Sequence, residues 1–218
     1  MKDEYRSISG EASGQFKDRG SKFIAVATPV NSVEGVKEVL NRVRKQYHDA
    51  RHHCYAYKLG TGDDDWRVND DGEPAGTAGN PIMGQIKSFH LTNILIIVVR
   101  YFGGTLLGTG GLINAYRNAA RQALENTVIV TGIINCTYHL KFPYEAMNDV
   151  MKVIKEDNLE QSDQVFDLDC SLKVHFRASL ENKIRKKFEL IEKLKQLARE
   201  PLVHFLLIGK KKKGAGYI

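Results

Sequence analysis

Ile94-Leu95-Ile96-Ile97-Val98-Val99-Arg100-Tyr101-Phe102-Gly103-Gly104-Thr105-Leu106-Leu107-Gly108-Thr109-Gly110-Gly111 is the stretch around which the rest of the chain is organised. Ile94–Val99 is an unbroken apolar run of strand length, which predicts a strand covered on both faces. Five of the nine residues 103–111 are glycine. From Leu112 to Asn126 the alanine content predicts a helix. A chain that passes from a buried strand to a helix through glycines exposes unpaired N–H groups, and with the helix dipole these favour an anion. Two familiar phosphate motifs do not fit. A dinucleotide fingerprint starting at Gly108 needs glycine at 113, where Ile113 stands; a P-loop starting at Gly103 needs lysine at 109, where Thr109 stands. Arg100, ending the strand, offers a planar cation suited to phosphate or carboxylate instead. Ligand contact through Arg100, Gly103, Gly104, Gly108 and Gly110 is one reading. Close helix–sheet packing and a tight turn is the other.

Upstream lies Asn69-Asp70-Asp71-Gly72-Glu73-Pro74-Ala75-Gly76-Thr77-Ala78-Gly79. Carboxylates on a loop fixed by Gly and Pro suit a hard cation or a general base, with Asp71 and Glu73 as candidates. They equally suit an Asx-type turn that caps the helix expected over Ile82–Phe89. A calcium loop fails, because Gly72 at its sixth position puts Arg67 first and Ala78 last. In His48-x3-His52-His53-Cys54 the pair His48 and His52 has metal spacing only on a helix, and the helix that Ser32 caps ends near Tyr47, so no metal is expected. His53 and Cys54 are neighbours on a strand and point to opposite faces, which excludes a nucleophilic pair between them. His53 is expected either to reach the cleft of Arg100 or to be an edge histidine.

Further out, strands are expected at Ser7–Gly14, Phe23–Pro29, Cys54–Leu59 and Trp66–Asn69. After Gly132 the order is strand (Ile133–Phe142), helix (Tyr144–Asp157), two strands (Gln161–Phe166, Cys170–Phe176), helix (Leu180–Arg199, stopped by Pro201) and strand (Leu202–Ile208). This is the ferredoxin-like βαββαβ plan. The fold class is therefore α+β, with domains at 1–132 and 133–208 and a basic tail at 209–218.

At 218 residues and 42% hydrophobic content the chain buries a real core. No segment nears the roughly 18 apolar residues of a membrane span, and the charged start carries no secretory signal. Three scattered cysteines without a Cys-x-x-Cys pair suit a reducing cytoplasm. The net charge of +6 is uneven: residues 181–218 hold eleven Lys/Arg against four Asp/Glu, and the remainder is nearly balanced. Lys183, Arg185, Lys186, Lys187 and Lys193 thus form a candidate RNA- or anion-binding face, or a solvated one.

Two segments taken together resemble the signature of the IMPACT family (YigZ type): Asn69-Asp70-Asp71-Gly72-Glu73-Pro74 with Gly76-Thr77-Ala78-Gly79, then Val99-Arg100-Tyr101-Phe102-Gly103-Gly104 with Leu107-Gly108 and Gly110-Gly111-Leu112. Ala50–Tyr57 matches as well. The resemblance implies a first domain like the second domain of ribosomal protein S5, and a ferredoxin-like second domain like one in the translocation elongation factor. It also implies a translational role. Eukaryotic relatives bind the ribosome-associated activator of a nutrient-sensing kinase, but this chain begins directly at the signature domain, so that role is not carried over. What is carried over is association with the ribosome, RNA or a translation-associated protein.

Two functional classes follow. The first is a cytoplasmic binding protein that regulates translation, with no cofactor and no membrane. The alternative is an enzyme acting on a phosphorylated small molecule or nucleotide, with Glu73 or His53 as base and loop amides stabilising an anion. No nucleophile–base pair follows from the spacing, which favours the non-enzyme. A protein-only scaffold is a third reading.

Overall fold

Ile94–Tyr101 is the central strand of a five-stranded sheet, and every other element of the first half is arranged about it. The computed structural model describes residues 3–62, 65–192, 194 and 196–200, and the backbone of 205–208. Its strands are β1 (Glu4–Ile8), β2 (Ala12–Asp18), β3 (Ser21–Pro29), β4 (His52–Lys58), β5 (Trp66–Asn69), β6 (Ile94–Tyr101), β7 (Ile129–Pro143), β8 (Glu160–Val165), β9 (Asp169–Arg177), β10 (Gln196–Arg199) and β11 (Phe205–Ile208). Its helices are α1 (Val33–Gln46), α2 (Gly79–Ser88), α3 (Gly108–Glu125), α4 (Met147–Glu156) and α5 (Glu181–Glu189), with short 3-10 turns leading into α4 and α5. The fold is mixed α+β. It divides into two compact units: Arg6–Thr131 forms one, and the described residues before Arg6 join Gly132–Ile208 in the other. β7 runs unbroken across the division.

In the first unit the strand order is β2-β3-β6-β4-β5, and all neighbours are antiparallel. Side chains alternate between the faces of each strand. One face carries Phe23, Ala25, Cys54, Ile96 and Val98 against Ile82 and Ile86 of α2 and Leu112, Tyr116 and Ala120 of α3. The other carries Val26, Tyr57, Leu95, Ile97 and Val99 against Val36, Leu40 and Val43 of α1. Both faces are covered, so Ile94–Val99 is wholly buried although the sheet is antiparallel. α1 opens at Ser32, whose Oγ accepts from the Gly35 N–H at 3.1 Å.

In the second unit β7 pairs with β9, which pairs with β8, and β1, β10 and β11 also pair with β7. Its element order is β7-α4-β8-β9-α5-β10. Alternate residues of β7 and β9 (Cys136, Tyr138, Leu140, Phe142; Leu172, Val174, Phe176) form its core with Val150 and Ile154 of α4 and Ile184 and Phe188 of α5.

Three expectations change. The helix expected over Leu180–Arg199 stops at Glu189, and Gln196–Arg199 instead pairs antiparallel with Tyr138–Lys141. Ile191, Leu194 and Leu197 still pack on the core. Their spacing reads as helical, but the free edge of β7 offers backbone partners that a continued helix leaves empty. The single strand expected at Ser7–Gly14 is broken between β1 and β2. The glycine loop is also shorter than the sequence indicates, because α3 already begins at Gly108. Asp63, Asp64, Lys193, Pro201 and the tail 209–218 lie outside the described residues. Among the described residues no helix is long and apolar enough to cross a membrane.

α3 lies so close to β2 that a Cβ on Gly14 would overlap the backbone of Ala123 and sit 2.7 Å from the Gln122 carbonyl carbon. Backbone cannot move aside as a side chain does. Gly14→Val is therefore expected to destabilise the protein by about 2 kcal/mol or more in urea unfolding.

Candidate functional site

Antiparallel register decides which predicted residues meet. Arg100 lies directly opposite Phe23 on one side and His52 on the other, and all three occupy the sheet face that packs on α2 and α3. His53 lies opposite Val99 and so occupies the α1 face. Its Nε2–H donates to the Tyr47 carbonyl at 3.1 Å, at the end of α1. The structure therefore does not bring His53 into the neighbourhood of Arg100. One residue of register separates them, and on a strand one residue means the opposite face. Burial lowers the His53 pKa below its ordinary value, only partly offset by the Tyr47 carbonyl and Asp71, so His53 is neutral at pH 7.

Arg100 and Glu73 do meet. The Arg100 Nη1–H donates to Glu73 Oε1 at 2.7 Å, and both side chains are buried. The Tyr116 hydroxyl, projecting from α3, donates to the same oxygen at 2.7 Å. Cys54 Sγ lies 3.3 Å from the Tyr116 hydroxyl and 2.9 Å from the Asp70 carbonyl, so its single S–H has two acceptors within reach. Arg100 Nε has no partner among the described residues. The guanidinium carbon instead lies 5.6 Å from the ring centroids of both Phe23 and Phe102, where the π faces attract the cation.

Asp70 and Asp71 hold the turn before α2. Asp70 accepts from the Gly76 N–H at 2.8 Å, the Ala78 N–H at 3.0 Å and the Gly79 N–H at 2.8 Å, which satisfies donors at the start of α2. Asp71 accepts from the His53 N–H at 2.7 Å, and its own N–H donates to Asn69 Oδ1 at 2.7 Å. The His52 Nδ1–H donates to the Asp71 carbonyl at 2.9 Å. Among the described residues, no group of three or more His, Cys, Asp and Glu side chains could hold a metal.

The glycines divide by task. A Cβ on Gly103 would overlap the backbone of Gly20 and Ser21, and the Gly103 N–H donates to Ser21 Oγ at 3.1 Å, so Gly103 permits close approach of two turns. Gly104 has φ 84° with open space around it and supplies the left-handed conformation of the bend. Gly108 and Gly110 also face open space, in the first turn of α3, which no side chain caps. Phe102 and Leu106 stand out at 57% and 82% exposure, unusual for side chains of their size and apolarity.

The family model for the Impact N-terminal domain matches residues 19–124, the segment that contains all of these groups. An IMPACT family member of Haemophilus influenzae is 33% identical over 154 residues, covering 70% of this chain and 75% of that protein. The chain belongs to the IMPACT family. Within the family it is also similar to YigZ of Escherichia coli K12, at 41% identity over 135 residues, 58% of this chain and 66% of YigZ, just under two thirds of that protein's length. A solved structure described as that of a hypothetical protein superposes with TM-score 0.67 and 28% identity, covering 97% of this chain and 100% of that one.

The basic face of the second unit is less positive than its composition implies. Lys183 and Lys187 donate to Asp157 at 2.5 and 2.6 Å, and Arg185 lies 3.6 Å from Glu189. Lys186 forms no ion pair among the described residues. Sequence reasoning passed over Tyr116, weighed His52 and Cys54 only for metal or nucleophilic roles, and named Asp71 and Glu73 rather than Asp70 in the turn before α2. The pairing register, absent from a local pattern, puts His52 and Cys54 on the face of Arg100, and the packing of α3 brings Tyr116 to it through Glu73.

Two measurements check this geometry. Tyr116→Phe removes a buried hydrogen bond to a carboxylate and is expected to cost about 1.5–3 kcal/mol in chemical denaturation. Lys183, and then Lys187, hold the Asp157 carboxyl below its ordinary value. A depressed folded-state pKa stabilises the fold above the unfolded value and loses that contribution as pH falls through the folded one. Asp157→Asn should thus lower stability at pH 7, with the difference from wild type shrinking below about pH 4.

Proposed function

We propose that this protein is a cytoplasmic binding protein of the translation machinery. It engages the ribosome, an RNA or a translation-associated protein through the end of the first unit where β6 passes into α3. The observation that supports this most is a contrast. The reactive side chains of the signature are buried and occupied with one another, whereas the loop they support is open. Burial pushes the Cys54 thiol and the Tyr116 hydroxyl far above their ordinary pKa values, so neither is a nucleophile near pH 7. Glu73 is committed to Arg100 and Tyr116, and His53 faces α1. A catalytic reading at Asp71, Glu73 and His53 therefore has no free base to work with.

The same reading takes the first unit as S5 domain 2-like and the second as ferredoxin-like. The strand neighbours β10-β7-β9-β8 and the order βαββαβ support the second assignment. Membership of the IMPACT family supports the translational role.

Cosedimentation through sucrose gradients tests the proposal. The full-length protein is expected to travel with ribosomes or a ribosomal subunit at low salt and to be released as salt rises, because phosphate contacts are lost to counterions. Failure to travel with ribosomes or either subunit at any salt, combined with thermal stabilisation by ATP or GTP, would overturn it in favour of the enzyme.

A further inference from the structure

Phe102 is the first residue beyond β6, and more than half of its surface is open to solvent. It is nevertheless held in place. The Arg100 guanidinium sits 5.6 Å from its centroid, and Glu73 fixes that guanidinium. The backbone that follows is fixed too, because Gly103 packs against Gly20 and donates to Ser21 Oγ. A ring held before any ligand arrives loses little further entropy on binding.

Residues 102–111 include no Asp or Glu, and Arg19 stands in the turn whose Gly20 packs against Gly103, whereas Lys17 and Lys22 are in register with Tyr101 and share the α1 face of the sheet. Among the described residues Arg19 forms no ion pair. An uncovered aromatic face beside a turn that carries an unpaired cation suits a nucleobase with its phosphate, since every base has a π face to stack and every phosphate a charge to neutralise.

We infer that Phe102 is a stacking platform for single-stranded RNA: a base lies on the free face of the ring, and the adjoining phosphates meet the Arg19 turn. Arg100 and Glu73 are positioning residues, holding the ring from behind. The inference rests on the reading that this end of the first unit is the contact surface, and names what it contacts.

Fluorescence anisotropy with a short labelled oligouridine and the full-length protein tests it. Wild type is expected to bind with an affinity that falls as salt rises. Phe102→Leu should weaken binding about tenfold, Phe102→Trp should retain it, and Leu106→Ser, in the same loop but without a ring to stack, should weaken it less than Phe102→Leu. Trp66 is the single tryptophan, so Phe102→Trp combined with Trp66→Phe gives a second readout: its emission is quenched when uracil stacks. Absence of wild-type binding at the lowest salt, equal binding by Phe102→Leu, or binding without quenching would each overturn the platform. If Leu106→Ser weakens binding as much as Phe102→Leu, the loop is an apolar patch and a protein partner replaces RNA. Ribosome cosedimentation without oligouridine binding removes the platform and keeps the translational reading; oligouridine binding that depends on Phe102, without cosedimentation, does the reverse.

Discussion

The buried ion pair between Arg100 and Glu73 is the constraint on which the signature region depends. Two charges withdrawn from water are expensive to hold, and they persist only where geometry and further hydrogen bonds compensate. Here the carboxylate also accepts from Tyr116, and the guanidinium lies beside two aromatic rings. The pair thereby ties together elements distant in sequence: β6 through Arg100, the turn before α2 through Glu73, and α3 through Tyr116. β6 is already held by β3 and β4, and the pair fixes the turn before α2 and the Tyr116 turn of α3 to its end. The loop after β6 takes its position from where they meet.

Much of the fold was legible because it rests on local patterns. Ile94–Val99 announced a strand covered on both faces, Ser32 announced the start of α1, and the strands expected at Ile133–Phe142 and Cys170–Phe176 lie within β7 and β9. What was not legible depended on partners. Ile191, Leu194 and Leu197 repeat at a helical interval, yet the edge of β7 draws the segment after α5 into β10. The start of α3 was misplaced for a related reason: glycines weaken a helix intrinsically, but packing of the Ala-rich face carries the helix back to Gly108.

The site was legible in part. Arg100 and Glu73 were recognised as important, and the structure brings them together. His53, a candidate for the same cleft or else an edge histidine, lies on the other face, a difference set by register alone. Asp70, which drew less attention than Asp71, carries the capping of α2. The basic helix lost much of its apparent charge to Asp157, because composition counts cations and says nothing of their neighbours. A signature dense in Asp, Glu, Arg and Gly thus leaves both a binding and a catalytic reading open in one dimension. In three, Arg100, Glu73 and Tyr116 engage one another, Asp70 caps α2, and a glycine bend with Phe102 and Leu106 faces outward.

A double-mutant cycle in chemical denaturation tests this account most directly, with Glu73→Gln, Arg100→Met and the two combined. If the pair is the constraint proposed, each single variant strands a buried partner and loses about 3–5 kcal/mol, while the double variant loses much less than their sum, a coupling of about 2 kcal/mol or more. Losses that add to within about 0.5 kcal/mol would show two independent side chains and contradict the account.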